Sequence, residues 1–379
     1  MIDTVNAVAP QFDGVVLASN PGGLSDEDLQ RLLGPVTLSQ LSICTIARIE
    51  SLLIIGTTGL KKAILQFFML LEPIFFIYNL LLSIRLLLKV RPDTVLCCNG
   101  GYPGGRSILA MTIAAKFLNI STFVSIVSMP MPYRIFSQFY ERVIDRIFWK
   151  SAGVVIVNAN SIAHALQSLR GMPASKAEVV HNGMVNTILP IRKKLESRDN
   201  ILIGCIARMD RAKGVLFLLE AFAHLAIKCP RLHLVLVGSG DASNVLMQRV
   251  EELKLSERVK LTGFYDGCID ELLTAFHIYL FPSLHEGFPY SILEAMRAGC
   301  AIITTDVGGI PEAVTDGIEG LLVKPASVDS LEQAMKKLLD DGDLCSRLGA
   351  QASERFSRDF TLEKMELRLR EIFSGSAET

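Results

Sequence analysis

The sequence predicts an α/β protein with two doubly wound, Rossmann-like domains. Short apolar strands alternate with helical patterns along most of the chain, and each strand is too uniformly apolar to have a solvent-exposed face. This pattern is typical of a parallel sheet that is covered by helices on both faces. The chain of 379 residues is also too long for one ordinary core and fits two domains of comparable size.

Composition and charge narrow the class of protein. Hydrophobic residues make up 50% of the chain and charged residues 20%, which indicates a well-buried globular protein. The formal net charge of -1 argues against nucleic acid as the main partner. The eight cysteines are scattered and form no Cys-x-x-Cys pair, which favours reduced cysteines. Residues 1–13 lack the basic and apolar regions of a secretory signal, so we expect a cytoplasmic protein.

The first half of the chain contains one series of strands and helices. Val15 to Ser19 reads as a strand that ends at a Gly22-Gly23 turn, and Ser25 is a good N-cap for the next helix. We place the first domain at 1–190. Its further strands are predicted at 94–98, 122–127, 153–157 and 178–180, and its helices at 107–117, 136–149 and 160–170.

The second half repeats this alternation after a polar linker at 192–200. We place the second domain at 200–360, and a final helical segment at 361–379. The predicted strands are 201–206, 232–237, 259–262, 278–281 and 301–305, and the helices that close the chain are 327–338, 343–355 and 361–373. Ligands of such domains bind at the loops that follow the carboxyl ends of the strands.

Residues 61–91 complicate a plainly soluble interpretation, because they are dense in Leu, Ile and Phe and have basic residues at both ends. A membrane span needs about 20 mainly apolar residues. Gln66, Asn79 and Ser83 interrupt this run, and Pro73 should split it into two helices. Two buried or half-buried helices are the first interpretation. The alternative is an apolar surface with basic edges that docks on the inner face of the cytoplasmic membrane.

The stretch 283–323 carries the sharpest functional signal. A strand ends before Ser283, a loop carries Glu286, and Pro289 suits the first position of a helix because its missing N–H would be unsatisfied there anyway. The backbone N–H groups of 288–291 would then face the loop. A helix N-terminus of this kind favours an anion such as phosphate.

Four charged side chains could complete a site around this helix. Arg208 and Lys213 flank a loop at the end of another strand, where they could hold a diphosphate or simply be solvated. Glu286 and Glu294 could be mistaken for the acid/base pair of a glycosidase. One lies in a loop and the other inside the helix, which instead suits two separate hydroxyl-binding tasks. The spacing alone leaves open a simple helix-face role for Glu294.

The run Glu286-Gly-Phe-Pro-Tyr-Ser-Ile-Leu-Glu294 resembles the glutamate–seven–glutamate signature of retaining glycosyltransferases of family 4, within group 1 of the glycosyl transferases. This resemblance implies the GT-B architecture, in which two Rossmann-like domains face each other across a cleft. The first domain matches only in layout. Supporting matches in and just before the second domain are Val180 to Gly183, Ala207-Arg208, Lys213-Gly214, Val237 to Gly240, Gly263-Phe264, Phe281 to Ser283, Gly308-Gly309, Pro311-Glu312 and Phe360-Thr361.

The resemblance also implies how a nucleotide-sugar donor is bound. Arg208 and Lys213 would bind its diphosphate, and Glu294 would hold the ribose. Glu286 would hold the transferred sugar together with the backbone of Gly287 and Phe288. The resemblance also implies that Gly22 and Gly23 contact the phosphates and that Gly238, Gly263 and Phe264 contact the base. The helix N-terminus separately predicts an anion site at Phe288, Pro289, Tyr290 and Ser291.

In this family the leaving diphosphate is thought to help deprotonate the incoming hydroxyl on the same face of the sugar. Glu286, Arg208 and Lys213 would then be the catalytic residues, since the two cations stabilise the charge that develops on the diphosphate. We therefore expect neither a metal ion nor a cofactor. One position departs from the family: many relatives have a His where this chain has Ser128.

These observations predict a retaining, metal-independent glycosyltransferase. Its donor would be a nucleotide-diphosphate sugar, and its acceptor a glycan, a lipid or a lipid-linked sugar in the biosynthesis of cell-surface polysaccharide, lipopolysaccharide or glycolipid. Two alternatives remain open. One is a GT-B enzyme with an epimerase-like or hydrolytic reaction, and the other is a non-catalytic GT-B subunit that scaffolds a partner.

Overall fold

A computed structural model describes residues 71–135, 137–187, 189 and 200–375, together with the backbone of 15–19 and 36–40. Contacts divide the chain into two units. The first consists of Met1–Val157, Ile162–Val180 and Glu366–Thr379, and the second of Asn158–Ser161 and His181–Met365. Four predicted features lie outside the described residues: the Gly22-Gly23 turn, the helix from Ser25, the part of 61–91 that precedes residue 71, and the linker up to residue 199.

The first unit contains two parallel sheets within the described ranges. The predicted strand β1 (Val15–Ser19) pairs with β2 (Val36–Gln40), which the sequence did not predict. The larger sheet has the strand order β3-β4-β5-β6, and all of its pairs are parallel as predicted. Its strands are β3 (Thr94–Asn99), β4 (Ser121–Ile126), β5 (Val154–Val157) and β6 (Ala177–Val179).

Helices connect the strands of this sheet. The strand order rises steadily along the chain, so right-handed crossovers place the three connecting helices on one face of the sheet. The helices of this layer are α1 (Glu72–Val90), which packs against α2, and the connecting helices α2 (Arg106–Phe117), α3 (Gln138–Ser151) and α4 (Asn160–Arg170). Each of the three connecting helices lies within two residues of its predicted bounds.

Helix α1 begins at Glu72 and has Pro73 in its first turn, as expected of a proline that starts a helix. It buries one face through Phe76 and Leu87, among others, and exposes the opposite, mainly apolar face. By length and composition α1 is apolar enough to cross a membrane, and 22% of its most apolar window is buried. The core helix of a soluble protein can also meet this criterion.

The second unit is built on one parallel sheet with the order β12-β11-β10-β7-β8-β9. Five of these strands were predicted, whereas the sixth, Gly320–Val323, was not. The carboxyl ends of β7, β8, β10 and β11 are neighbours at one edge of this sheet, and their loops carry the candidate residues. The strands are β7 (Ile201–Ile206), β8 (Leu232–Val237), β9 (Val259–Leu261), β10 (Ile278–Phe281), β11 (Ala301–Thr305) and β12 (Gly320–Val323).

Helices cover this sheet and bury a large apolar core, in which Leu218, Phe222, Leu234 and Ile303 are fully inaccessible to solvent. The short helix α9 was not predicted. The helices are α5 (Val215–Lys228), α6 (Ser243–Glu252), α7 (Ile269–Ala275), α8 (Tyr290–Arg297), α9 (Ile310–Ala313), α10 (Val328–Asp340) and α11 (Gly342–Asp359).

The last helix, α12 (Leu362–Gly375), begins at the predicted place. From Glu366 onward it belongs to the first unit, where Phe373 stacks on Phe123 of β4 with 4.0 Å between ring centroids. Stacked aromatic rings at this distance contribute beyond the apolar area that they bury.

Candidate active site

The loop after β10 is held rigidly by its neighbours. The Ser283 hydroxyl is buried and donates to Glu286 Oε1 at 2.7 Å, while Thr305 Oγ1 donates to the Ser283 carbonyl at 2.5 Å. The Gly309 N–H donates to the Gly287 carbonyl at 2.7 Å. Hydrogen bonds from β11 and from the loops after β10 and β11 therefore hold the Glu286 carboxylate in place. The Glu286 side chain is only 10% exposed to solvent.

Lys213 reaches Glu286 from the loop after β7. Asp210 caps the short 3-10 turn Arg211–Lys213 by accepting a bond from the Lys213 N–H at 3.1 Å. The ammonium group of Lys213 then lies 2.5 Å from Glu286 Oε1 and 5.4 Å from the centre of the Phe281 ring. The structure thus brings together the two residues that were predicted to bind the diphosphate and the sugar.

Gly214 explains how these two loops can pack so closely. Its φ of 65° is left-handed, and a Cβ atom there would lie 2.0 Å from the Pro282 carbonyl oxygen. A side chain is excluded both by the backbone conformation and by the space available.

Arg208 behaves differently from Lys213. Its side chain is 74% exposed, and its Nε donates to Asp210 Oδ2 at 2.8 Å. An exposed ion pair of this kind contributes little to stability. Arg208 therefore lies at the same strand end as Lys213, but its side chain is exposed and is held by one exposed ion pair.

Glu294 lies one turn into α8, where it is partly buried. Burial raises the pKa of its carboxyl group to about 7, against the opposing attraction of Arg297. Among the described residues, no hydrogen-bond partner satisfies this carboxylate. A partly buried carboxylate with unused acceptor capacity can take hydrogen bonds from hydroxyl groups.

The start of α8 corrects one prediction. Pro289 is the N-cap, with φ −76° and ψ 129°, and Tyr290 is the first helical residue. Pro289 has no N–H to offer, so it cannot donate to the predicted anion site, and the contacts predicted at Phe288, Tyr290 and Ser291 stay predictions. The helix ends at Arg297 with Ala298 as its C-cap, and the next residue, Gly299, adopts a left-handed φ of 63° that is typical of a helix end.

Gly238 and Gly263 lie together at the ends of β8 and β9. The Gly238 N–H donates to the Gly263 carbonyl at 2.8 Å, and both residues have positive φ values, of 127° and 70°. The adjacent Phe264 side chain is 82% exposed. A large exposed aromatic ring beside a glycine-lined surface can stack against a planar base.

A second polar network was not recognised as part of the site. Glu312, at the start of α9, accepts bonds from the backbone N–H groups of Asn160 and Ser161 at 2.8 and 2.9 Å, and its Oε2 lies 3.0 Å from His181 Nε2. Burial alone would raise the pKa of Glu312, but hydrogen bonds from His181, Ser161 and Asn160 lower it to about 2.

This network reaches the anion loop through Phe288. The His181 ring packs on the Phe288 ring at 4.7 Å, and Asn182 Nδ2 donates to the Phe288 carbonyl at 2.6 Å. The sequence contains both motifs of this network, since His181-Asn182-Gly183 and Pro311-Glu312 are among the stretches that match the family. Their separation of more than a hundred residues hid the contact.

Two predicted positions bear on the first unit. Gly22 and Gly23 lie outside the described residues, so their predicted phosphate contact stays a prediction. Ser128 is exposed after β4, and its Cβ lies 3.7 Å from the position that a Cβ would take at Gly101. Both loops follow carboxyl ends of neighbouring strands.

Most of the second unit is similar to a known protein family. Residues 188–355 match the family model described as glycosyl transferases group 1. This segment, which spans less than half of the chain, is similar to a group 1 glycosyltransferase domain. It contains Arg208, Lys213, Glu286 and Glu294. The predicted resemblance to group 1 of the glycosyl transferases is therefore confirmed. Membership of family 4 and a retaining reaction stay predictions.

Curated relatives align mainly over this domain. An uncharacterized glycosyltransferase from Methanocaldococcus jannaschii is 27% identical over 199 residues, which cover 49% of this chain and 51% of the relative. An N-acetylgalactosamine-N,N'-diacetylbacillosaminyl-diphospho-undecaprenol 4-alpha-N-acetylgalactosaminyltransferase from Campylobacter jejuni is 26% identical over 212 residues, 55% of this chain and 57% of the relative. The chain spans about half the length of the curated relatives that it matches.

Solved structures match the whole fold. HepE from Anabaena, solved in complex with UDP, matches with a TM-score of 0.74 at 20% identity and covers 98% of this chain and 95% of its own. The predicted GT-B fold with its two Rossmann-like sheets is therefore confirmed.

Proposed function

We propose that this protein is a glycosyltransferase that transfers a sugar from a nucleotide-diphosphate sugar to an acceptor hydroxyl. One observation carries the proposal. The Lys213–Glu286 pair, at 2.5 Å, places a cation and a carboxylate side by side at the carboxyl edge of a group 1 glycosyltransferase domain. A diphosphate needs the first kind of group, and sugar hydroxyls need the second.

The donor's parts would be held by different loops. Lys213 and Arg208 would bind the diphosphate, together with the N-terminus of α8, whose backbone N–H groups favour anions. Glu294 would accept hydrogen bonds from the ribose hydroxyls, and the exposed Phe264 ring would stack on the base. The UDP in the Anabaena HepE complex supports a uridine nucleotide as the first donor class to test.

We propose a retaining reaction without a metal ion. The bond between the anomeric carbon and the diphosphate oxygen breaks while a bond to the acceptor oxygen forms on the same face. The acceptor proton passes to the leaving diphosphate. Negative charge grows on that diphosphate, and Lys213 and Arg208 would stabilise it. This proposal needs no base from the protein, and Glu286 acts by holding the sugar.

The acceptor is proposed to be a glycan, a lipid or a lipid-linked sugar of cell-surface polysaccharide or glycolipid biosynthesis. The Campylobacter relative's name includes a diphospho-undecaprenol acceptor, which supports a lipid-linked substrate. We propose a cytoplasmic location with contact to the inner face of the membrane through residues 61–91. The exposed apolar face of α1, which includes Ile74, Ile77 and Leu81, supports that contact.

The test is product analysis with a panel of nucleotide sugars and lipid-linked acceptors. We expect a glycosylated acceptor in which the anomeric configuration of the donor is kept, with unchanged yield in the presence of a metal chelator. Free nucleoside diphosphate without a glycosylated acceptor would indicate a hydrolase instead. No turnover with any donor, together with unchanged biological function of Glu286→Gln, would indicate a scaffold subunit.

A further inference from the structure

The outward face of α3 carries a stripe of exposed apolar side chains. Phe139, Val143 and Ile147 follow one another at intervals of four residues, so they lie along one side of the helix. Phe139 is 84% exposed, and Ile135, just before the helix, continues the stripe. Contiguous exposed apolar side chains of this kind mark interaction surfaces rather than ordinary surface.

A basic stripe runs beside the apolar one. Arg142, Arg146 and Lys150 are also spaced four residues apart and exposed, and no carboxylate in the described ranges pairs with them. The two acidic residues of α3 are instead buried: Glu141 and Asp145 lie 2.8 and 3.3 Å from the Arg170 guanidinium. The helix therefore hides its negative charges and displays its positive ones.

The same asymmetry extends over the neighbouring helices. On α1 and α2 the exposed charged side chains are Arg85, Lys89 and Lys116, and the acidic residue of these helices, Glu72, is buried. Every exposed charge on α1, α2 and α3 is thus positive, although the chain as a whole has a formal net charge of -1. These three helices therefore expose charge of one sign only.

The helix dipole explains only some of the exposed cations on α3. Lys150 and Arg146 lie toward the carboxyl end of α3, where cations interact favourably with the helix dipole. Arg142 lies in the second turn, where the dipole gives no such benefit, and its guanidinium lies 5.4 Å from the centre of the Tyr133 ring. The helix dipole also gives no reason for an exposed Phe139.

A cavity of about 570 Å³ adjoins the basic stripe. Arg142, Arg146, Lys150 and Lys176 line it together with the buried Arg170. Its acidic lining residue, Asp145, already accepts a bond from the Tyr102 hydroxyl at 2.7 Å and is close to Arg170. The cavity is therefore a positively charged recess with room for a phosphate headgroup.

We propose that the outward face of α3 docks on the surface of an anionic phospholipid bilayer. Phe139, Val143 and Ile147 would enter the boundary between headgroups and acyl chains, and Arg142, Arg146 and Lys150 would contact lipid phosphates. An apolar stripe next to a basic one fits this partner better than a protein, because a protein groove would need matched acidic side chains. This surface lies outside residues 61–91 and does not depend on the proposed transferase reaction.

The experiment measures binding of the full chain to vesicles of phosphatidylglycerol and phosphatidylcholine by co-sedimentation. The variant Arg142→Gln/Arg146→Gln/Lys150→Gln lacks three cations and should bind mixed vesicles about a hundredfold more weakly than the wild type. Raised salt should weaken binding of the wild type to a similar extent. Phe139→Ser/Ile147→Ser should weaken binding while keeping its salt dependence. The matched control Lys324→Gln/Lys336→Gln/Lys337→Gln removes three exposed cations of the second unit and should bind as the wild type does.

Three results would overturn the proposal: no binding of the wild type to anionic vesicles, equal binding of the α3 variants, or equal loss in the control. Circular dichroism and melting temperature confirm that each variant is folded. Transfer to a soluble acceptor without vesicles separates this proposal from the proposed function, because the α3 variants should keep that activity. Arg85→Gln/Lys89→Gln tests the separate contact through 61–91.

Discussion

Lys213 Nζ lies 2.5 Å from Glu286 Oε1, although the two side chains come from the loops after β7 and β10. The pair is largely shielded from solvent, since the two side chains are 20% and 10% exposed. Without a ligand, the Lys213 ammonium and the Glu286 carboxylate neutralise each other's charge and share a hydrogen bond. A diphosphate must therefore compete with Glu286 for Lys213, while sugar hydroxyls compete with Lys213 for Glu286.

This competition predicts opposite effects of two substitutions on nucleotide binding. Lys213→Gln should weaken the binding of UDP at least tenfold, because a charge-assisted hydrogen bond to phosphate is lost. Glu286→Gln should bind UDP as tightly as the wild type or more tightly, because Lys213 is released, yet transfer should fall at least a hundredfold. Calorimetry with UDP and a transfer assay measure both effects, with Lys336→Gln as the control. Equal weakening of UDP binding by both substitutions would contradict this account.

Glu294 predicts a pH dependence of stability. Its pKa is raised from 4.5 to about 7 in the folded protein, so the proton that it keeps stabilises the fold below pH 4.5, and this stabilisation is lost as the pH rises through 7. Glu294→Gln removes the cost of ionising a partly buried group. The variant should gain about 1–3 kcal/mol relative to the wild type at pH 8 and almost nothing at pH 4.

Denaturant titrations at the two pH values measure this difference. Glu354→Gln, which replaces an exposed carboxylate of α11, is the matched control and should show no such gain. A gain that is equal at pH 4 and pH 8 would show that the ionisation of Glu294 is not its cause.

Much of the architecture could be predicted because strands such as Ile201–Ile206 and Ala301–Thr305 are continuous apolar runs that end at glycine or polar loops. The strand Gly320–Val323 was missed because it is four residues long and begins with glycine, which has low strand propensity. Pro289 was placed one position too far into its helix, since sequence does not distinguish an N-cap proline from one at the first helical position.

The sequence could indicate which residues belong to the candidate site, but not which of them form ion pairs or hydrogen bonds with each other. Arg208 and Lys213 are five positions apart and were expected to act alike, but one is exposed and paired with Asp210 while the other is shielded and paired with Glu286. Such differences depend on which loops pack together in three dimensions. The contact between His181 and Glu312 has the same origin, because nothing local in either motif indicates the other.

Glu312 is predicted to position the Phe288 loop through His181. Its pKa is lowered to about 2, so its carboxylate stabilises the fold above pH 4.5, and this contribution is lost as the pH falls from 4.5 to 2. Glu312→Gln should cost about 1–2 kcal/mol at pH 7, after allowing for solvent screening. The difference from the wild type should shrink toward pH 3, as measured by thermal unfolding.

A purely structural role of Glu312 would leave donor affinity unchanged. Because His181 and Asn182 both contact Phe288, we expect Glu312→Gln to raise the KM for the donor more than it lowers kcat. His181→Gln should behave similarly. Unchanged donor KM in both variants at a temperature where they are folded would reject the positioning role.

Gly308 gives the most direct test of how the loop after β11 supports Glu286. Its φ is 57°, and an added Cβ would lie 2.0 Å from the Glu286 carbonyl oxygen, so that alanine must displace the backbone that carries the candidate catalytic carboxylate. Gly317 also has a positive φ, of 75°, but a Cβ there would meet nothing within 4 Å. Gly317→Ala should therefore cost only about 1 kcal/mol of backbone strain, whereas Gly308→Ala should lower transfer at least tenfold beyond its loss of stability. Melting temperatures and transfer rates of the two variants, compared at a temperature where both are folded, measure the difference, and equal rates would show that the loop can move without disturbing Glu286.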